Sequence, residues 1–349
     1  MLPAASETRL ADAGHAPATA RAPGAHAGPA LAAYVVGCFA AAALAAPVVY
    51  QGLQEAADAV PALAPLARHP VYRILHRLLL VFGVVGLPAL LRALGMRSWR
   101  DLGLGRPWAH RRDIALGALL GGTAIGATAA LSLLVGTRDV RHDLTAAGFA
   151  ARAVGALLAA AAVAPLEELL FRGVVDGGLR RWQAPGTRAA TVALVASSGF
   201  YALVHFFTRP RNPDVVDWDA GFSLLGGMLA GFADLHTLVP QFFTLCAVGA
   251  GLAVLYRRTG NLWASVGVHA GAVFVLQLYG RLVATPPAAP GSAAADAARW
   301  LWGSGRLVDG WVALGTVGAA ALAGAAALRR RDRRRAAGPA LAVVRGGCA

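Results

Sequence analysis

Long apolar segments alternate with short polar loops along most of the chain. A helix needs about 20 apolar residues to cross the hydrocarbon core of a bilayer. Eight segments approach this length, at about residues 30–50, 71–94, 114–136, 149–171, 189–207, 237–256, 262–280 and 307–328. A ninth apolar stretch, 221–232, is too short to span. The pattern predicts an all-α, polytopic membrane helical bundle of about eight transmembrane helices.

Composition excludes an ordinary soluble domain. Of the 349 residues, 57% are hydrophobic and only 14% are charged, and the mean hydropathy is +0.56. Average soluble domains carry about 25% charged residues. We therefore predict an integral membrane protein with the lipid bilayer as its main partner.

The basic residues lie where membrane topology would place them. The formal charge is +14, all 32 basic residues are Arg, and the Arg-rich loops follow the second, fourth, sixth and eighth apolar segments. This alternation predicts both termini in the cytoplasm by the positive-inside rule. Arg clusters between apolar segments also argue against nucleic acid as a partner. The absence of Lys beside abundant Ala, Gly and Arg indicates GC-rich coding, so we expect a bacterial inner membrane.

The same pattern divides the chain into three parts. Residues 1–29 lack the apolar core of a cleaved signal and are predicted to be a disordered cytoplasmic tail. Residues 30–328 form the predicted eight-helix membrane domain. Residues 329–349 form an Arg-rich cytoplasmic tail.

The fourth apolar segment contains three ionisable residues, Glu167, Glu168 and Arg172. Ionisable groups inside a membrane are costly and are candidates for function. Glu168 and Arg172 are one helical turn apart with the acid first, which favours an ion pair. Glu167 is rotated by about 100° from this pair and is the better candidate for a reactive carboxylate. A helix-end network that only anchors the segment is the alternative interpretation.

Two further apolar segments each contain a histidine. Tyr201 precedes His205 by one turn in the fifth segment. Asn261, Ser265 and His269 follow one another at four-residue steps in the seventh segment, which would place them on one face of a helix. Polar groups of this kind can also serve only as hydrogen bonds between membrane helices.

One carboxylate and two imidazoles can activate water for hydrolysis in two ways. Glu167, His205 and His269 could bind zinc, whose bound water becomes nucleophilic near neutral pH. Alternatively, Glu167 with His205 acts as a general base on water while His269 stabilises the oxyanion. The sequence has no His-Glu-x-x-His motif. Metal dependence is therefore left open.

The three side chains start from different depths. At 1.5 Å per residue, Glu167 and His205 lie about 20 to 25 Å from their Arg-rich loops, and His269 lies about 16 Å from its own. They can meet only if their helices tilt or extend beyond the bilayer, and we predict that they do.

The arrangement resembles the motifs of the CAAX-processing and bacteriocin-processing (CPBP) membrane endopeptidases, which include the type II CAAX prenyl endopeptidases. Their Glu-Glu-x-x-x-Arg motif is present as Glu167, Glu168 and Arg172. Their Phe-x-x-x-His motif is present as Tyr201 and His205, with Tyr in place of Phe. The resemblance extends over about residues 151–277.

The resemblance implies roles for these residues. Glu167 and His205 would activate water, and His269 would stabilise the oxyanion or contribute to a metal site. The supporting residues would be Glu168, Arg172, Tyr201, Asn261 and Ser265.

One position departs from the family pattern. The family often has Asn four residues after its last histidine, where this chain has Val273. Loss of an amide donor weakens stabilisation of a transition state.

Three functions are compatible with these residues. The leading one is an endopeptidase that cleaves a membrane-associated protein or peptide, such as a C-terminal sorting or anchor segment. A non-catalytic scaffold or immunity-type factor on the same fold is the first alternative, and Val273 is its main support. A proton-coupled transporter is the second, although the inverted repeats common in such carriers are not visible.

Overall fold

A computed structural model describes residues 27–182, 186–284, 293–304 and 306–337. Helices make up most of this part of the chain. They are α1 (Ala27–Ala59), α2 (Ala64–Ala67), α3 (Val71–Ala93), α4 (Arg111–Leu134), α5 (Ala146–Glu168), α6 (Gly177–Trp182), α7 (Thr187–Val204), α8 (Ala220–Met228), α9 (Leu235–Thr259), α10 (Trp263–Leu282), α11 (Ala293–Trp302) and α12 (Trp311–Ala337).

Shorter elements join these helices. Four are 3₁₀ helices, at Pro61–Leu63, Trp99–Leu102, Pro107–His110 and Leu229–Phe232. A π-helix over Leu169–Asp176 links α5 to α6. The two strands β1 (Asp139–Val140) and β2 (Val283–Ala284) form one short antiparallel pair that ties the end of α10 to the loop after α4. The predicted all-α membrane bundle is confirmed.

Among the described residues, seven helical spans rather than eight are long and apolar enough to cross a membrane. The first seven predicted segments correspond to these spans. The eighth predicted segment lies on α12, which is apolar from Trp311 to Leu328 in sequence and of which Trp311–Ala326 is found as a shorter apolar helix among the described residues. Beyond it α12 continues through an Arg-rich stretch to Ala337. The tail boundary predicted at residue 329 therefore falls inside this helix.

The predicted N-terminal tail and the short apolar stretch can be compared with the described residues. Of the predicted N-terminal tail, residues 1–26 lie outside the described residues, and Ala27 already begins α1. The short apolar stretch forms α8 and the 3₁₀ helix after it, too short to span as expected. There Gly221 packs directly against the backbone of α1 at Ala43.

Close packing between α4 and α10 depends on glycines on both helices. A Cβ atom on Gly121 would lie 1.9 Å from the carbonyl oxygen of Val268, and one on Gly271 would lie 2.0 Å from that of Ala118. Small residues let membrane helices approach until their backbones touch. Because His269 lies between two such glycines, Gly267 and Gly271, this contact fixes the position of its ring.

We expect Gly121→Ala to lower thermal stability and to reduce any activity that depends on His269. The added methyl group would overlap the Val268 carbonyl, and overpacking of this kind costs about 1–3 kcal/mol. Gly126→Ala, on the same helix with nothing within 4 Å of its added Cβ, is the control and should match wild type. Thermal unfolding in detergent measures both. Equal melting temperatures for the two variants would contradict the tight α4–α10 contact.

Candidate functional site

The first motif lies where an α-helix changes to a π-helix. Glu167 and Glu168 are the last two residues of α5, and Arg172 lies in the π-helix that follows. A π turn has one extra residue, and π-helical turns are rare and frequent at functional sites. The sequence indicated only a kink beside Pro165, because a π turn leaves no distinct sequence pattern.

Glu168 is the centre of a buried charged network. Its Oε1 lies 3.0 Å from Nη1 of Arg172 and 2.8 Å from Nδ1 of His269. The side chains of Glu168 and Arg172 are 0% and 2% exposed. The predicted Glu168–Arg172 ion pair is thus present, and Glu168 also contacts the ring of His269. Because both side chains are buried, removing either partner would be strongly destabilising.

Glu167 faces both histidines. Its Oε2 lies 3.9 Å from Nε2 of His205 and 3.7 Å from Nε2 of His269. These separations are too long for direct hydrogen bonds, and polar groups at such distances can share a water molecule. Glu167 and His205 are partly exposed, at 27% and 29%, whereas His269 is 6% exposed. The three side chains that the sequence singled out thus meet at one partly open site, as the tilt prediction required.

The ring of His205 is oriented by its own helix end. Its Nδ1 lies 2.7 Å from the carbonyl oxygen of Tyr201. Because a carbonyl only accepts hydrogen bonds, Nδ1 carries the proton and Nε2 presents a lone pair in the neutral ring. His205 follows the last residue of α7 directly, and its Nε2 points toward Glu167.

Tyr201 packs between the charged groups of the site. Its ring centroid lies 4.6 Å from that of His205 and 6.2 Å from that of His269. The guanidinium carbon of Arg172 lies 4.5 Å from the same centroid, a cation–π distance. Tyr201 is buried. It therefore packs against both histidine rings and the guanidinium of Arg172.

The predicted stripe is present in part: Ser265 lies one turn before His269 on α10 and its side chain reaches Glu168, whereas Asn261 lies outside the helix. Asn261 precedes α10, where its Oδ1 accepts from the amide of Trp263 and its Nδ2 donates to the carbonyl of Thr259. The side chain is used to form the turn, so it is not available to the site. Ser265 lies within α10, is buried and donates to the carbonyl of Leu262.

A second buried carboxylate, which the sequence had not singled out, lies at the end of the π-helix. Asp176 is fully buried and forms ion pairs with Arg180 and Arg257. Ser197 donates to it from α7. In the sequence, only the four-residue spacing between Asp176 and Arg180 indicates an ion pair. The partners of Asp176 on α7 and α9 are distant in sequence and leave no such pattern. This network joins the π-helix to both helices and holds the end opposite Glu168.

The zinc alternative can be tested against the arrangement of candidate ligands. Among the described residues, no group of three or more His, Cys, Asp and Glu side chains is placed to hold a metal ion. The Nε2 atoms of His205 and His269 lie 3.9 and 3.7 Å from the same carboxylate oxygen, Oε2 of Glu167. Ligands at about 2.0 to 2.2 Å from one tetrahedral zinc ion are themselves about 3.3 to 3.6 Å apart. The arrangement is therefore compatible with a zinc site as well as with direct carboxylate chemistry.

Val273 lies on α10 one turn beyond His269. Residues four apart share one face of a helix. An amide at this position would lie close to the site, and Val273 supplies no hydrogen bond there.

Comparison with known proteins agrees with the motifs. Residues 149–275 match the family model described as Type II CAAX prenyl endopeptidase Rce1-like. No curated protein and no solved structure matches the chain. The match covers about a third of the chain, includes every residue of the site described above, and confirms the resemblance to the CPBP membrane endopeptidases.

Proposed function

We propose, on the premise that residues 149–275 match the type II CAAX prenyl endopeptidase family, that this protein is an intramembrane endopeptidase. It hydrolyses a peptide bond in a membrane-associated protein or peptide. The observation that carries the proposal is the position of Glu167 Oε2 within 4 Å of Nε2 of both His205 and His269. A carboxylate with no polar partner on its own helix is thus aimed at two imidazoles from other helices.

In the proposed mechanism, Glu167 and His205 activate the water molecule. The neutral His205 ring presents its Nε2 lone pair, since Nδ1 donates to the Tyr201 carbonyl. Glu167 and His205 remove a proton from water as its oxygen bonds to the carbonyl carbon of the peptide. The carbonyl π electrons move to oxygen and form a tetrahedral oxyanion. When the C–N bond breaks, the proton is delivered to the departing amine, and the other product is a carboxylic acid.

His269 supports this step from the opposite side. Its Nδ1 faces the Glu168 carboxylate, so a protonated ring keeps an N–H at Nε2 for the oxyanion. In that state the charges of Glu167, Glu168, Arg172 and His269 cancel. A neutral buried cluster avoids the cost of an unpaired charge.

The activity is tested with two internally quenched reporter peptides in liposomes. One reporter ends in a farnesylated CAAX sequence, and the other has a transmembrane anchor without a prenyl group. We expect wild type to cleave at least one of them and Glu167→Gln to cleave neither. Glu55→Gln, at an exposed position on α1, is the matched control and should behave as wild type. Failure of wild type on both reporters contradicts the proposed activity.

A non-catalytic scaffold is the second candidate, since Val273 removes an amide that the family often has. The same experiment separates the two candidates. A scaffold would bind the reporters equally well in wild type and Glu167→Gln and would cleave neither.

We further propose a bacterial inner membrane with both termini in the cytoplasm. Arg-rich loops meet at one end of the bundle, where Arg181 pairs with Asp101 and Arg257 bonds to the carbonyl of Ala190. Positive charge collected at one end is typical of the cytoplasmic side. The proposed substrate carries a C-terminal sorting or anchor segment.

We expect cleavage to persist after metal removal. The direct mechanism needs only the side chains of Glu167, His205 and His269, which meet at the site, and no metal ion. Zinc content by mass spectrometry should be far below one ion per chain, and dialysis against a chelator should leave kcat unchanged. Stoichiometric zinc together with reversible loss of activity would select the metal mechanism instead.

A further inference from the structure

A buried glutamine on α9 has no use in the mechanism above. Gln241 is 7% exposed. Among the described residues its side-chain amide takes part in no hydrogen bond. The amide is also not among the buried polar atoms that lack a partner, so water can reach it although most of the side chain is enclosed. An amide in this setting is available to a ligand.

The pairing of α7 with α9 brings Gln241 to the level of His205 along the bundle. The two helices run antiparallel, and Arg257 near the end of α9 donates to the carbonyl of Ala190 near the start of α7. Eight residues later on α7, Ser198 contacts Gly249, which lies eight residues before Arg257 on α9. The next seven residues of α7 lead to His205. A similar step back along α9 leads to Gln241.

The helix face agrees with this register. Gln241 lies one turn before Leu245, and Leu245 packs with Tyr201 in one buried cluster. Tyr201 in turn stacks against His205. The nearby polar residue Thr244 is also buried, but its hydroxyl already donates to the carbonyl of Pro240.

We propose that Gln241 binds the backbone of the substrate peptide at the site of cleavage. A primary amide has one acceptor and two donors. It can therefore accept from the N–H of one substrate residue through Oε1 and donate to the C=O of the same residue through Nε2, because these two groups point to the same side of an extended chain. This pairing would hold an extended peptide beside His205 whatever its side chains are. The proposal rests on the proposed function for its catalytic effect, but not for peptide binding.

The test compares Gln241→Leu with Thr244→Val, a buried polar control one turn along the same helix. We expect Gln241→Leu to lower kcat/KM on the cleaved reporter about tenfold, the effect of two modest hydrogen bonds, and Thr244→Val to have no effect. In the Glu167→Gln background, Gln241→Leu should weaken binding of the same reporters by a similar factor, measured by fluorescence anisotropy.

A second arm distinguishes pairing with the backbone from a purely structural role. Reporters are N-methylated in turn at the three peptide groups around the cleaved bond. In wild type, one methylation should lower affinity about tenfold, and in Gln241→Leu the same methylation should have little further effect. If Gln241→Leu matches wild type, or if every methylation acts equally in both proteins, the inference is wrong. If wild type cleaves neither reporter but affinity depends on Gln241, only the proposed catalysis fails.

Discussion

Glu167→Gln should lower kcat by about 1,000- to 10,000-fold on whichever reporter wild type cleaves, with little change in KM or in thermal stability. Glutamine keeps the shape of the side chain but cannot take a proton from water. The change is tolerated structurally because Glu167 is partly exposed and its Oε2 has no hydrogen-bond partner among the described residues. Stopped assays of cleavage and thermal unfolding in detergent measure the two effects separately.

The same variant tests whether Glu167 and His205 act on one proton. Groups that act as a unit lose most of their effect when either one is removed. We therefore expect the double variant Glu167→Gln, His205→Gln to be no slower than the more damaged single variant. Losses that multiply in the double variant would show that the two residues act in separate steps. A Glu167→Gln protein with wild-type kcat would remove the proposed mechanism altogether.

The sequence predicted the members of the site better than their contacts. Helical spacing correctly paired Glu168 with Arg172, because both lie within one turn of each other. It left Glu167 without a local partner, and its two neighbours are indeed on other helices. It could not predict that Glu168 also binds His269, since that contact joins residues 101 positions apart.

One error in the site has a similar cause. Four-residue spacing placed Asn261 on a helix face, but α10 begins at Trp263 and Asn261 forms the turn before it. Periodicity alone does not locate a helix end, because the end is decided by which side chain bonds to free backbone groups.

Glu168→Gln should reduce activity and stability together, because Glu168 serves two buried partners. The substitution leaves only a neutral amide beside Nδ1 of His269, and changing the carboxylate of a comparable triad to an amide lowers kcat about 10,000-fold. It also leaves the guanidinium of Arg172, 2% exposed, without an opposite charge. An unpaired buried charge costs about 3–5 kcal/mol. We expect a clear fall in the melting temperature as well as in kcat.

A second substitution separates these two effects. In Glu168→Gln, Arg172→Met the buried positive charge is gone, so much of the lost stability should return. Activity should not return, because the ring of His269 still lacks its charged acceptor and Tyr201 has lost the guanidinium that packs on its ring. Recovery of stability without recovery of kcat would show that Glu168 contributes to hydrolysis through His269. Recovery of both would make Glu168 and Arg172 a structural pair only, and the proton on His269 would then need another source of stabilisation.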